Sequence, residues 1–361
     1  MKREKANRTI SYIALAICFP FFISCTSTYN FVIETQQPAE ITLPIDVSHI
    51  VIVNNVAAPA DSDFGTECFV NQKKVSIPLI IAFDSAFWSV TNVLAEGIQS
   101  EDFYSDVAVY GIPIRKDNST LEIRPLSKQI TNKLYDRSDA IISIDRCLFR
   151  YKQEVTQLAS GYSLEPLYTF VNIRTDINLS CSVYLKGQDN PLTSFSLQDS
   201  LFFNTQTRSD SIHLYQTIPN IVINEATAYM GEKLTPYFVP SWKEVSRTLY
   251  TSIESRMKEA LAYAKTDKWD SAENLWLQLY NQKKNDESRA HLAYNLAVAY
   301  EMQDNLEKSL DWAKKAESFF KQNNKKKFET DINRTSLYIS SITERIDDNT
   351  LLDLIELRIE N

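Results

Sequence analysis

Asp139-Ala-Ile-Ile-Ser-Ile-Asp145, followed by Arg146-Cys-Leu-Phe-Arg-Tyr-Lys-Gln-Glu-Val155, carries the change of pattern on which the reading of this chain turns. The first run is apolar at almost every position between its two aspartates, as expected of a strand covered on both faces. From Cys147 the period becomes two: Leu148, Arg150, Lys152 and Glu154 alternate with Phe149, Tyr151 and Val155. That is the pattern of a strand with one face on a core and the other in water. A stretch that opens like α/β and continues like an antiparallel meander predicts an α+β fold.

Upstream, residues 29–34 and His49-Ile-Val-Ile-Val-Asn-Asn55 are β-branched runs separated by Pro38 and Pro44, and read as two strands. Phe83, Phe87, Val90, Leu94 and Ile98 recur at helical spacing and predict a helix over 82–99. A strand at 107–110 and a helix at 126–135 come next. Downstream, 170–185 and 192–203 keep the alternation, and a helix over about 211–233 stops before Pro236 and Pro240. The expected first domain is an α/β sheet with an antiparallel meander over 31–240.

Residues 241–361 read as all-helical. Ala260-Leu-Ala-Tyr263 with Trp269, Ala272 and Trp276 is matched by Leu296-Ala-Val-Ala-Tyr300 with Leu306, Ser309 and Ala313. Small residues at two fixed points let paired helices approach closely while larger ones fill the gap, the tetratricopeptide arrangement. Ala272 and Ser309 lie 37 residues apart, and a degenerate third copy is expected at 328–346 with a cap at 351–359. The first helices of such a stack are expected to present a partner-binding groove of Met257, Leu261, His291, Tyr294, Val298 and Glu301. The Lys and Asn that clamp a peptide carboxylate in some repeat proteins are replaced by Met257 and Leu261, so contacts in this groove would be apolar and aromatic. Packing of these residues on the α/β half is the alternative.

At the start of the chain, Lys2, Arg3, Lys5 and Arg8 precede an apolar run from Ile10 to Ile23 and then Ser24-Cys25. This is the layout of a secretory signal, and at 1.5 Å per residue the run reaches roughly 21 Å, short of a bilayer core of about 30 Å. Phe22-Ile23-Ser24-Cys25 resembles a lipobox with Phe in place of the usual Leu. The resemblance implies removal of 1–24, lipidation of Cys25 and a tether over 25–30. No acidic surface-export signal follows in Thr26-Ser-Thr-Tyr-Asn30, so the expected location is the cell envelope, lipid-anchored to the outer membrane and facing the periplasm.

Loss of 1–24 removes four cations and Glu4, a net of +3, taking the formal charge from −8 to −11. An acidic chain is a poor match for a phosphate backbone, so no nucleic-acid partner is expected. The six glycines of the 361 residues are scattered, so no phosphate-cradling loop can be written. Of five cysteines, Cys68, Cys147 and Cys181 remain after Cys18 and Cys25, allowing one disulfide or none. No metal and no cofactor are expected.

For catalysis, His49, His213 and His291 stand in no recognisable motif. Asp139 and Asp145, six apart on one strand, are the carboxylate pair to consider, with Asp139 expected as a cap and Asp145 paired to Arg146 or Arg150. No catalytic residue is assigned.

The strand at 49–55, the helix at 82–99 and Asp139-Ala-Ile-Ile142 resemble, over about 45–235, the small α/β domain shared by the curli-secretion lipoprotein and the outer-membrane lipoprotein activators of penicillin-binding proteins. Gln37-Pro-Ala-Glu-Ile-Thr-Leu-Pro44 leading into Ile50-Val-Ile-Val-Asn54 is similar, with nearly the whole chain, to a family of Bacteroidetes-type lipoproteins with C-terminal tetratricopeptide repeats. That resemblance implies fold and membrane attachment and brings no activity with it. The expected function is a non-enzymatic envelope lipoprotein that docks an envelope protein or peptide as scaffold, assembly factor or regulator. A self-assembling secretion-channel-like subunit and a hydrolase of envelope polymer are the alternatives.

Overall fold

The computed structural model describes residues 27–57, 65–76, 82–115, 122–159, 166–207, 213–322 and 326–359. The fold is α+β, sheet-rich first and helical at the end. Strand β1 (Ser27–Gln37) is followed by β2 (His49–Asn54), β3 (Gly65–Val70), β4 (Lys73–Val75), α1 (Phe83–Ser100), β5 (Asp106–Val109) and α2 (Lys128–Leu134). Then come β6 (Ala140–Ala159), β7 (Pro166–Leu185), β8 (Thr193–Thr207), α3 (His213–Leu234), a 3-10 turn (Thr235–Tyr237) and β9 (Ser241–Thr251). Helices α4 (Ser255–Ala264), α5 (Trp269–Gln282), α6 (Asp286–Met302), α7 (Leu306–Gln322) and α8 (Glu329–Ile359) complete the chain. The described residues divide into a sheet unit, within 38–241 with 355–359, and a helical unit, within 27–37 with 242–354.

In the sheet unit β6 is the central strand. One edge pairs in parallel with β2 over 140–144 and with β3 over 150–155, while the other runs antiparallel to β7. Strand β5 extends β2, β4 extends β3 and β8 extends β7. Opposite β7 the register skips Asp145, since Ile144 faces Cys181 and Arg146 faces Ser180. One extra residue shifts the side-chain phase, so Ile142 and Ile144 before the bulge and Cys147 and Phe149 after it enter the same core. The change of pattern after Ile144 is this bulge.

That core is completed by Phe87, Val90, Leu94 and Ile98 of α1 and Ile223, Ala226 and Met230 of α3. The opposite face, with Val51, Val53, Ile141 and Tyr184, is covered by Leu126, Leu134 and Tyr135. Cover on both sides is why the start of β6, residues 140–144, is apolar at every position but Ser143. Helices α1 and α3 cross closely because Gly231 has no side chain: an added Cβ would lie 2.9 Å from the Val90 carbonyl oxygen and 3.0 Å from Val93 Cβ.

In the helical unit β1 and β9 form a two-stranded sheet. Thr35 Oγ1 donates to the Lys243 carbonyl and Thr248 Oγ1 to Asn30 Oδ1, so the strands run antiparallel with Ser27 level with Thr251. This corrects two expectations. Residues 27–30, expected within the tether, are strand, and the first strand belongs to the helical unit rather than to the α/β sheet. Tyr29 and Phe31 hold it there, Phe31 stacking 5.8 Å from Trp269 and Lys265 Nζ lying 4.2 Å over the Tyr29 ring. Strand β9, in turn, occupies the first eleven residues of a region expected to be helical.

The turns inside the two helix pairs, α4 with α5 and α6 with α7, each hold an aspartate with positive φ, Asp267 (58°) and Asp304 (57°). These two are 37 residues apart, as are the buried pairs Trp269 and Leu306, Ala272 and Ser309, Trp276 and Ala313, and Leu279 and Ala316. The expected third copy and separate cap are instead the single helix α8, which has no glycine or proline to end it.

Gly231→Ala is expected to lower stability by about 1–3 kcal/mol through overpacking at the α1–α3 crossing. Denaturant unfolding checks it, and an unchanged midpoint would show that the crossing has room.

Candidate functional site

Helix α6 is buried at every position from 290 to 299, and Asn295 is a polar side chain set in that apolar surface. Its Oδ1 accepts from the Tyr250 amide at 2.7 Å and its Nδ2 donates to the Tyr250 carbonyl at 2.7 Å. Both backbone groups of one extended residue are thus satisfied as a neighbouring strand would satisfy them. The Tyr250 ring lies 4.3 Å from His291 and edge-on to Tyr294 at 5.2 Å. Its hydroxyl donates to Asp331 Oδ1 and accepts from Arg334 Nη1, each at 2.7 Å. Burial, then the Asp331 contact, push the Tyr250 pKa up.

Three residues earlier, Arg247 is held by a carboxylate. Its Nη2 and Nε donate to Glu301 Oε1 and Oε2 at 2.7 and 2.8 Å, and the Glu301 side chain is fully buried. Arg345 Nη1 adds a third contact at 3.1 Å and the Tyr338 hydroxyl a fourth at 2.8 Å. Strand β9 is therefore fixed to the helices through its backbone at Tyr250 and through its charge at Arg247.

The expected groove is therefore corrected. Met257, His291, Tyr294, Val298 and Glu301 are buried and Leu261 is partly buried, so the six do not form an open channel. The reason is local: the side chains of β9 and α8 fill the space over α6. An extended segment does lie on this face, and it is the chain's own.

What stays open is the end of that segment. A cavity of about 280 Å³ is lined by Tyr250, Thr251, Ser252, Ile253, Glu254, Met257, Lys283, Ser288, His291 and Leu292. Met257, Leu292 and the two rings give apolar walls, and Lys283 Nζ pairs with Glu254 Oε2 at 2.6 Å. The Thr251 hydroxyl is buried without a hydrogen-bond partner among the described residues. Burial holds His291, 7% exposed, below its ordinary pKa of 6.5. Such a cavity can take one or two side chains of a peptide.

The other candidates fall elsewhere. Asp145 is buried, and it pairs with neither arginine. Its Oδ1 accepts from Asn55 Nδ2 at 2.9 Å and Ser143 Oγ at 2.6 Å, and its Oδ2 from Ser182 Oγ at 2.5 Å. Burial raises its pKa against these donors. The carboxyl ties the bulge to β2 and β7. Asp139 caps, as expected, accepting from the Ser48 and His49 amides at 3.1 and 3.0 Å. His49 Nδ1 meets both Ser48 Oγ and Asp139 Oδ2, at 2.8 and 3.3 Å. Both partners meet the same ring nitrogen, so the ring does not bridge Ser48 to Asp139 as a triad histidine bridges its serine and aspartate. Cys68, Cys147 and Cys181 are free and buried. Among the described residues no cluster could hold a metal ion and no helix is long and apolar enough to cross a membrane. Cys25 and the side chain of His213 lie outside the described residues.

A family model described as a domain of unknown function, DUF8603, matches residues 47–250, more than half of the chain. The chain belongs to the DUF8603 family. The DUF8603 match runs to Tyr250, and a second model, also described as a domain of unknown function, DUF6340, matches residues 258–344. No curated protein matches. Among solved structures, a PelC dodecamer from Paraburkholderia phytofirmans is 8% identical with a TM-score of 0.20, covering 58% of this chain and 99% of that one. A putative neuraminyllactose-binding hemagglutinin homolog from Helicobacter pylori is 9% identical with a TM-score of 0.24, covering 55% and 88%. Scores this low carry no argument about DUF8603.

Sequence reasoning missed Arg247, Tyr250 and Asn295. The signals were present: Arg247 and Leu249 alternate with polar neighbours, and Asn295 interrupts the run Leu292-Ala-Tyr-Asn-Leu-Ala-Val-Ala299.

Arg247→Met leaves Glu301 buried without its main partner and is expected to cost about 3–5 kcal/mol in chemical denaturation; a loss under about 1 kcal/mol would show that Arg345 alone suffices. For His291, the unfolded chain binds the proton more readily than the folded one between the lowered folded value and 6.5. Stability from this residue is therefore complete above 6.5 and is lost as pH falls through that window. His291→Phe is expected to flatten the stability profile there, and an unchanged slope would assign the pH dependence to other groups.

Proposed function

We propose that this protein is a non-enzymatic envelope lipoprotein, anchored through Cys25, whose helical unit is a tetratricopeptide-like stack that docks an envelope protein or peptide as a scaffold, assembly factor or regulator. The observation that carries the reading is the Asn295 contact with both backbone groups of Tyr250. A helix face that holds an extended backbone in this way is a peptide-binding surface in its chemistry, here engaged with the chain's own strand. The cavity at the end of that strand is where a second chain would meet it. The repeat reading is supported by the 37-residue spacing of the buried pairs and of the two turn aspartates. Attachment is supported by the lipobox resemblance, since acyl chains anchor stably when more than one is present.

A photo-crosslinking residue at Ser288, on the cavity wall, tests this in intact envelopes with the full lipidated chain. One dominant protein is expected from Ser288 and not from Leu337, which is 73% exposed on α8. No adduct at Ser288, or the same adducts from both positions, would count against the docking role.

A further inference from the structure

We propose that the end of the helical unit formed by Ser27 and the β9–α4 turn rests on the bilayer surface, with Ile253 as the side chain that enters it. The inference rests on the reading of Cys25 as the lipidated residue. Strand β1 already begins at Ser27, and the two residue steps back to Cys25 span at most about 7 Å when fully extended. A body held on so short a link has no slack with which to turn its attached end away from the membrane.

The register of the two-stranded sheet places Ser27 beside Thr251, at a strand spacing of about 4.8 Å. Two residues beyond Thr251 is Ile253, 79% exposed and the most exposed large apolar side chain among the described residues. An isoleucine in this position finds in the interfacial zone of a bilayer the apolar contact that the protein does not give it. The ion pair of Glu254 with Lys283 lies at the same end, so the carboxylate there is neutralised rather than set against lipid phosphates. The link at Ser27, the exposed Ile253 and the cavity rim of Thr251, Ile253 and Glu254 all belong to one end of the unit. A peptide that reaches the cavity then does so at the membrane surface.

The test uses full-length lipidated protein in vesicles of phosphatidylethanolamine and phosphatidylglycerol containing lipid doxyl-labelled near the headgroup. An environment-sensitive fluorophore is placed on Ile253→Cys or, as control, on Trp242→Cys. Trp242 is 67% exposed and lies at the far end of β9, roughly 30 Å away at about 3.4 Å per residue. The native Cys68, Cys147 and Cys181 are buried and so escape labelling. Quenching several-fold stronger at 253 than at 242, with blue-shifted emission, is the expected result. A chain that floats with the vesicles but is unquenched at 253, or equally quenched at both positions, overturns the inference alone. A chain that does not float, or floats equally well as Cys25→Ala, overturns the lipidation reading and the inference with it.

Discussion

The helical unit depends on one requirement, that an extended residue buried against helices must have both backbone groups hydrogen-bonded. Water and a sheet partner are the usual sources, and at Tyr250 the Asn295 side chain supplies both bonds. Left unmade, each would cost on the order of 1–3 kcal/mol, enough to peel the strand away. Around that contact the structure builds a second hold, the buried Glu301 shared by Arg247, Arg345 and Tyr338. A buried ion cluster adds little net stability over apolar packing, but it penalises any arrangement that separates its members. The alignment of β9 on α6 and α8 is therefore specified as well as stabilised.

The sheet unit solves a different problem, how one strand can be buried on both faces at its start and on one face later. The bulge at Asp145 changes the phase of β6 where the cover changes. The cost of burying the aspartate is offset by three donors, Asn55 just after β2, Ser143 on β6 and Ser182 on β7. A bulge held by its own side chain keeps the register of the β6–β7 pair from slipping.

Features that depend on local periodicity were legible in the sequence. The α1 helix, the alternation of β6 to β8, the double-covered run before Asp145 and the 37-residue spacing all follow from which positions repeat. Pairing across the chain was not legible. Strand β1 finds β9 more than 200 residues later, and nothing within either segment names the other. The groove residues show the limit most clearly. Periodicity marked Met257, Leu261, His291, Tyr294, Val298 and Glu301 as the exposed face of the first helices, and the structure buries five of them and partly buries Leu261. Periodicity gave no information on what covers that face, because the covering residues, Arg247, Leu249 and Tyr250, end a strand that opens with the largely exposed Ser241-Trp-Lys-Glu-Val-Ser246.

The central claim is that β9 is an integral part of the helical unit, held at Tyr250 by Asn295. Hydrogen exchange of the Tyr250 amide in the full chain measures this directly. The account predicts protection that is lost only when the helical unit unfolds, comparable with amides in the middle of α6. Exchange as fast as that of the exposed Lys284, between α5 and α6, would mean that the strand leaves the helices freely, and would contradict it.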